Sequence, residues 1–454
     1  MLSITQLFQK CQQKFEDYVS AELRSFDDID NFLSYCFNEL ACNVMSAFLE
    51  SLDCAIRDNQ KGRMEANLLL IKVKVPRQIQ TVHGTVSYKR AYYYNKSTGR
   101  HLYAVDELVG IRPYQRLGNT LENEVVNQAL CTSYEKASKS FSPVSELSRQ
   151  TVMNKIRRSA LVEEEAKVVK GISVLHIDAD EDHVKVRGKK GSIVPLISVY
   201  EGVADGKCQN VFHISEYGKK PDDLWEQVLT VIEGRYILSD TKTYLHGDGG
   251  AWIRQGLEWI PNVKFVLDKY HKNKYIGKIC NVIAEKKERR SLRKKLKSCL
   301  LKGDGEGFSR EVNGLCAKFP ECDERIKKAA TYLSNHISGI QICEIDAEAN
   351  NGGCTEGHVS NVLSVRLSSR PMAWSETTLK VLAPMLAGQR RIYVTHNNSV
   401  TATDELKSLG LNAMKKTPQK YARGMPEASS IGAVPLLSSD KVSWLRNALF
   451  SLAG

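Results

Sequence analysis

The sequence predicts an α/β chain, and three features carry that reading. A strand-rich stretch from about residue 171 passes into alternating helices and strands. A long block without strand signal interrupts it, and an N-terminal α+β region with a helix-turn-helix precedes it.

Residues 1–60 read as helices, because apolar residues recur at three and four in Phe8, Cys11, Phe15, Tyr18 and Val19 and again in Phe32, Tyr35, Leu40 and Val44. Residues 61–110 change period: Leu68, Leu70, Lys72 and Lys74 alternate, Val82–Tyr94 forms a strand, Asn95–Arg100 a turn and His101–Val105 a returning strand. The product is a basic β-ribbon rich in tyrosine. Cross-strand packing is the commoner use of such tyrosines, with base stacking as the functional alternative.

Residues 111–169 return to helices. After a break at Pro143, Ser148 N-caps a helix that exposes Arg149, Gln150, Asn154, Lys155 and Arg158. A helix-turn-helix in a DNA major groove fits this pattern, and so does a short helical hairpin with a solvated face.

Residues 170–275 supply strands at Ile172–Asp180, His183–Arg187, Ser192–Tyr200 and Gln209–Ser215, separated by turns at Gly188, Gly191, Gly202 and Gly206. A helix from Pro221 to about Gly234 follows, burying Leu224, Trp225, Val228, Leu229 and Ile232. Then come a strand at Thr243–Gly247, a turn at Asp248, a helix at Trp252–Trp259 and a strand at Val263–Leu267. An antiparallel meander followed by helix–strand alternation is the order of a ribonuclease H-like core. Residues 276–345 read as a basic helical insertion in that core, 346–398 as its last part, and 399–454 as a C-terminal basic tail and helix that includes Lys415–Gly424. Gly303-Asp304-Gly305-Glu306-Gly307 reads as the turn of a helical hairpin, since it lacks the Lys and Ser/Thr of a phosphate loop.

Composition narrows the function classes. With 64 Lys and Arg against 52 acidic residues in 454, the net charge is +12, which suits a polyanionic partner. The 42% hydrophobic and 8% aromatic content supports real cores, so disorder is not expected for most of the chain. No apolar stretch reaches the roughly 20 residues of a membrane span, and the first residues lack a secretory pattern. Twelve cysteines scattered from Cys11 to Cys354, without a C-x-x-C pair, predict reduced thiols rather than disulfides or structural zinc.

Against this basic background, certain carboxylates stand out. Asp178 and Asp180 alternate on one strand face, Asp248 ends a later strand beside a Gly pair, and Glu356 opens a helix. Phosphodiester transfer needs charge relief at both the nucleophile and the leaving oxygen. Two divalent ions roughly 3.5–4 Å apart supply it, and hard cations need carboxylate oxygens. The bland reading of each acid alone is a turn Asp or a solvated helix Glu. The run Lys286 to Lys302, with Arg289, Arg290, Arg293 and Lys294, is either a phosphate-contacting surface or a solvated helix face.

Four long blocks carry a resemblance: Leu175–Val184, Gly247–Ile253, Leu267–Lys274 and Glu356–Ser375. They resemble the transposases of ISLre-type bacterial insertion sequences, relatives of the Mutator-like group, and the similarity extends over nearly the whole chain. The resemblance implies a DDE transposase: a DNA-binding enzyme that frees 3′ hydroxyls at the ends of a mobile element and joins strands by transesterification. The family's Val-x-Val-Arg matches Val184–Arg187 and selects Asp180 as the first acid, with Asp178 in reserve; Asp248 and Glu356 carry over as the second and third. Asp268 and His271 match the family's Cys/Asp-x-x-His pattern and are expected to be auxiliary. The implied cofactor is two magnesium ions, or manganese, on Asp180, Asp248 and Glu356. The implied partners are double-stranded DNA, as terminal repeats and target, and further copies of the chain at synapsis. The implied location is the bacterial cytoplasm, at the nucleoid. A ribonuclease H-like nuclease or resolvase without strand transfer, or a non-catalytic DNA-binding regulator, stays open on the residues alone.

Overall fold

The computed structural model describes residues 4–141, 147–161, 169–370, 372–388, 392–393 and 402–422. The chain is mixed α/β and divides into two compact units, one from residues 1–122, 140–147 and 396–454, the other from 123–139 and 148–395.

The first unit opens with α1 (Ile4–Ala21) and α2 (Phe26–Asp58). Ser25 caps α2 by accepting from the Asp28 amide, while Asp28 accepts from the Ser25 amide in return. Helix α1 buries Leu7 against Leu40 and Ala47, with Cys11 and Val44 packed beside them, and of the apolar stripe read from the periodicity only Phe8 among its α1 members is exposed. Strands β1 (Leu68–Thr81) and β2 (Gly84–Asn95) pair antiparallel around a tight turn, with a bulge between Leu70 and Val75. Tyr88 and Tyr93 are buried in the core, and Tyr92 stacks on His101 and lies tilted against Tyr103, so packing occupies these tyrosines. The returning strand is shorter than the alternation predicts. β3 covers only His101–Leu102, and Ala104–Leu108 is helical. That turn buries Ala104 and Val105 and brings Asp106 onto Arg90, whose guanidinium lies over the Tyr103 ring. Helix Asp404–Ala422 adds Leu406, Leu409 and Ala413 to this core. Most of the Lys415–Gly424 stretch is therefore helical; its last two residues, the tail beyond them and the Pro143 break lie outside the described residues.

The second unit begins within helix Asn119–Cys131 and continues with α3 (Tyr134–Lys139) and α4 (Arg149–Arg157), the last capped by Ser148 accepting from the Thr151 amide. Its centre is a five-stranded sheet of β4 (Val174–Val184), β5 (Ser192–Tyr200), β6 (Phe212–Ile214), β7 (Lys242–Gly247) and β8 (Val263–Leu267), in the order β6-β5-β4-β7-β8. The first three pair antiparallel, and β4, β7 and β8 are parallel. Two strands expected from the sequence are one. β4 runs unbroken through Glu181 and Asp182 because β5 pairs with it from His176↔Tyr200 to Val184↔Ser192, and no glycine interrupts it.

Alternation on β4 divides the sheet chemically. Leu175, Ile177 and Ala179 enter a core with Leu224, Trp225, Val228 and Ile232 of α5 (Pro221–Glu233). His176, Asp178, Asp180 and Asp182 lie on the other face. After β8 come five helices: α6 (Lys269–Cys280), α7 (Lys286–Lys302), α8 (Gly305–Lys318), α9 (Asp323–Asn335) and α10 (Ile337–Ile345), packed around Leu296, Leu300, Phe308, Ile326 and Leu333. Gly303, at φ 70, ends α7 in the left-handed region, and Asp304 caps α8, so this glycine-rich run is a hairpin turn. Helix α11 (Thr355–Val359) continues through a wider π-wound turn, Ser360–Ser364, into Val365–Leu367, and α12 (Glu376–Gly388) follows. Among the described residues no helix is long and apolar enough to cross a membrane.

Candidate active site

Parallel pairing builds the acidic site. His246 on β7 pairs with Asp178 on β4, and Gly247 pairs with Leu267 on β8. Continued along the chain, these registers bring Asp248 alongside Asp180 on one side and Asp268 on the other. Gly247 permits the approach, since a Cβ there would stand 2.8 Å from the Ala179 carbonyl oxygen.

The three aspartates of β4 have different surroundings. Asp178 is fully buried: it accepts from the Tyr200 hydroxyl at 2.9 Å, the Cys354 amide at 2.7 Å and the Gly353 amide at 3.3 Å. Burial pushes its carboxyl up to about 7, against the pull of those three donors. Asp182 is buried too and accepts from Ser368 Oγ at 2.7 Å. Asp180, between them, is half-buried, and among the described residues its one hydrogen bond is from the adjoining Glu181 amide. Burial raises it to about 6; that amide and His271 pull down, and the charges of Asp268 and Asp248 push up.

Asp248 is half-buried and turns its own loop by accepting from the Gly250 amide at 2.8 Å. Its backbone carbonyl accepts from the Tyr332 hydroxyl of α9 at 2.6 Å. Gly249, at φ 82, lies so close to His336 that a Cβ there would meet the imidazole at 2.1 Å. Tyr332 is stacked on Tyr275 of α6, with ring centroids 3.8 Å apart, so the helical block grips the Asp248 turn. Sequence reasoning missed this support, because nothing marks a tyrosine far along the chain as a partner of that turn.

Asp268 caps α6. One carboxylate oxygen accepts from the His271 amide and the other meets His271 Nδ1, both at 2.8 Å. Burial works against a charged His271, but the Asp268 hydrogen bond and the charges of Asp268, Asp180 and Asp248 outweigh it and raise its pKa. The structure thus gathers Asp180, Asp248, Asp268 and His271.

Glu356 occupies the first turn of α11 and is exposed, and the segment leading into that turn is bonded to β4 through the Cys354 amide and Asp178. The donor chemistry at Asp180 and Asp248 suits a hard divalent cation, since two carboxylates repel unless a cation lies between them. Among the described residues, however, no three His, Cys, Asp or Glu groups converge enough to hold a metal.

Of the expected DNA-contacting residues, Arg149, Gln150, Asn154 and Arg158 are exposed and Lys155 is half-buried, with Gln150 Nε2 donating to Asn154 at 3.3 Å. Arg157 turns inward, donating to Thr378 and Ser375 at 3.1 Å and tying α4 to α12. The α7 run is divided. Leu292, Leu296 and Leu300 face the core, and Arg290 and Lys294 are exposed. Arg289 is half-buried near the Ala284 carbonyl, and Arg293 reaches the Cys280 thiol. All twelve cysteines are free thiols.

The fold and these side chains define a mixed α/β protein with a row of carboxylates at the edge of three parallel strands. The chain belongs to the uncharacterised protein family UPF0236, whose model matches residues 21–396. It is 34% identical to UPF0236 protein TTE2489 of Caldanaerobacter subterraneus subsp. tengcongensis, over 83% of this chain and 80% of that one. It is 33% identical to UPF0236 protein TTE0402 of the same organism, over 83% and 75%. A third relative there, 33% identical over 83% of this chain and 79% of its own, has a printed name that joins eleven locus labels, from TTE0033 to TTE2212.

Proposed function

We propose that this protein is a DDE transposase with a ribonuclease H-like core, acting on the ends of a bacterial insertion sequence. The observation that carries the reading is the placement of Asp180 and Asp248 side by side on adjacent parallel strands, while Asp178 and Asp182 are taken up by buried hydrogen bonds. The sheet order, an antiparallel meander joined to two parallel strands, supports the ribonuclease H-like assignment. Eleven locus labels in one relative's name are what a gene present in many copies of one genome produces, as a mobile element is.

In this reading Asp180, Asp248 and Glu356 would hold magnesium or manganese, which supplies charge relief to the attacking and leaving oxygens of the phosphodiester. His271, its pKa raised by the hydrogen bond to Asp268, would in its protonated form place a cation next to the two aspartates and could orient a DNA phosphate or flanking base. Tyr332 holds the Asp248 turn against the helical block. The exposed edge of α4 offers Arg149, Gln150, Asn154 and Arg158 to DNA, with Lys155 beside them. Glu356 would complete the set from the first turn of α11, whose leading segment the Cys354 amide fastens to Asp178.

The deciding experiment incubates the full chain with magnesium and labelled duplexes carrying the element's ends. Joined products are expected, and loss of joining in Asp248→Asn and Glu356→Gln with end binding retained assigns the acids. Cleavage without joining would instead indicate a nuclease or resolvase, and normal joining by either variant would refute the assignment.

A further inference from the structure

Helices α6, α7 and α10 line an open cavity of about 250 Å³, bordered by Lys269, Lys272 and Lys297 over a floor that includes Ile276, Leu300 and Ile340. Pockets that enclose a whole small molecule run to roughly 300–1,000 Å³, so this one is sized for a group rather than a molecule. Its charge is one-sided. Among the described residues no carboxylate forms an ion pair with any of the three lysines. Lys269 donates to the Asn350 carbonyl at 2.6 Å, and among the described residues Lys272 and Lys297 have no hydrogen-bond partner.

The energetics of Lys272 fit that isolation. Burial pushes its ammonium down from the usual lysine range, and the positive charges of Lys297 and Lys269 push it the same way. The Cys343 thiol and Asp268 act in the opposite sense, and Asp268 is already committed to His271. A fold does not gain from holding three cations over an apolar floor with no counter-ion. A bound anion would remove the repulsion, and the low-polarity walls would strengthen its attraction.

We propose that this cavity binds a phosphate group, and that the phosphate belongs to the backbone of a nucleic-acid strand. Lys269 and Lys272 project from the first turn of the helix that Asp268 caps, so a strand seated here continues toward Asp180 and Asp248. The choice of nucleic acid as the source rests on the proposed transposase function; the phosphate site rests on the cavity alone.

The test reads labelling and binding, and no strand joining. The full chain is treated with an amine-acetylating reagent, and Lys272 modification is measured by mass spectrometry against the exposed Lys328, alone, with inorganic phosphate, and with a short duplex of arbitrary sequence. In parallel, duplex affinity is titrated against salt for the parent and for the Lys272→Gln/Lys297→Gln double variant. The expected result is several-fold protection of Lys272 by duplex, and a salt slope flattened by about 0.9, the value of one phosphate contact. Protection by inorganic phosphate with an unchanged slope would keep the phosphate site and overturn its nucleic-acid source. Protection by neither would overturn the site.

Discussion

The Cys354 amide donates to Asp178 Oδ2 at 2.7 Å, and this bond fastens the segment leading into α11 to the first strand of the sheet. The loop that delivers Glu356 is therefore anchored two residues before it, on an acid one step along the strand from Asp180. The same bond explains how two aspartates on one strand face can have different work.

Asp178→Asn and Asp180→Asn should separate stability from chemistry. At Asp178 the amide replaces one of two accepting oxygens with a donor facing the donors Tyr200, Gly353 and Cys354, so about 1–3 kcal/mol of folding free energy should be lost. At Asp180 the denaturation midpoint should hardly move, and strand joining should disappear. Urea unfolding together with the joining assay checks both. A stable, inactive Asp178→Asn beside an active Asp180→Asn would transfer the catalytic role to Asp178.

Tyr332→Phe keeps the ring stacked on Tyr275 and removes only the hydroxyl that donates to the Asp248 carbonyl. Stability should fall by about 0.5–1.5 kcal/mol. In the proposed enzyme the joining rate should drop several-fold with DNA affinity unchanged, because the loosened turn carries Asp248. An unchanged rate would show that the rest of the helical block holds the turn without this hydroxyl.

His213 carries an acid sensitivity of known sign. Burial first, and then the charge of His358, lowers it to about 4, and Ser198 Oγ lies 2.8 Å from its Nδ1. An unfolded histidine titrates near 6.5, so the unfolded chain takes up a proton that the folded one refuses. The stability contributed by neutral His213 is complete above about 6.5 and is lost as pH falls toward 4. Asp178 and Asp180, raised to about 7 and about 6, slope the other way and cancel in a comparison of parent with His213→Gln. The gap between the two unfolding free energies should therefore narrow from pH 7 to pH 4.5; a constant gap would mean that His213 titrates normally.

Replacing Gln150 and Asn154 together with Ala should reduce discrimination between cognate and scrambled ends, because both amides are exposed on α4. The ratio of the two dissociation constants at fixed salt is the measure. If that ratio is unchanged, α4 does not read bases.

Local chemistry made several elements legible: the Ser148 cap of α4, Pro221 at the start of α5, the Gly303 and Asp304 turn and the period-two face of β4. The strand expected to end at Asp180 runs on because pairing with β5, a long-range interaction, outweighs any local turn preference there. Asp180 and Asp248 could be nominated from sequence, but their adjacency follows from parallel register, which leaves no trace in either segment. Lys297 shows the same limit. It is one more charge in a basic run, and only the packing of α7 through Leu292, Leu296 and Leu300 turns it toward the cavity while Lys294 faces solvent.

The wide turn at Ser360–Ser364 works as a phase shifter between two ends of one helical stretch. Arg366, near its far end, is held: its Nε donates to the Ala129 carbonyl at 3.0 Å, and its guanidinium lies over the rings of both Tyr134 and Trp374. One residue fewer in the turn would restore ordinary winding and rotate the near end by about 100° against that fixed point, since an α-helix has 3.6 residues per turn. The direction in which Glu356 points is thus set by the winding downstream of it as much as by its own rotamer, and rewinding a single turn would re-aim the carboxylate without disturbing the sheet.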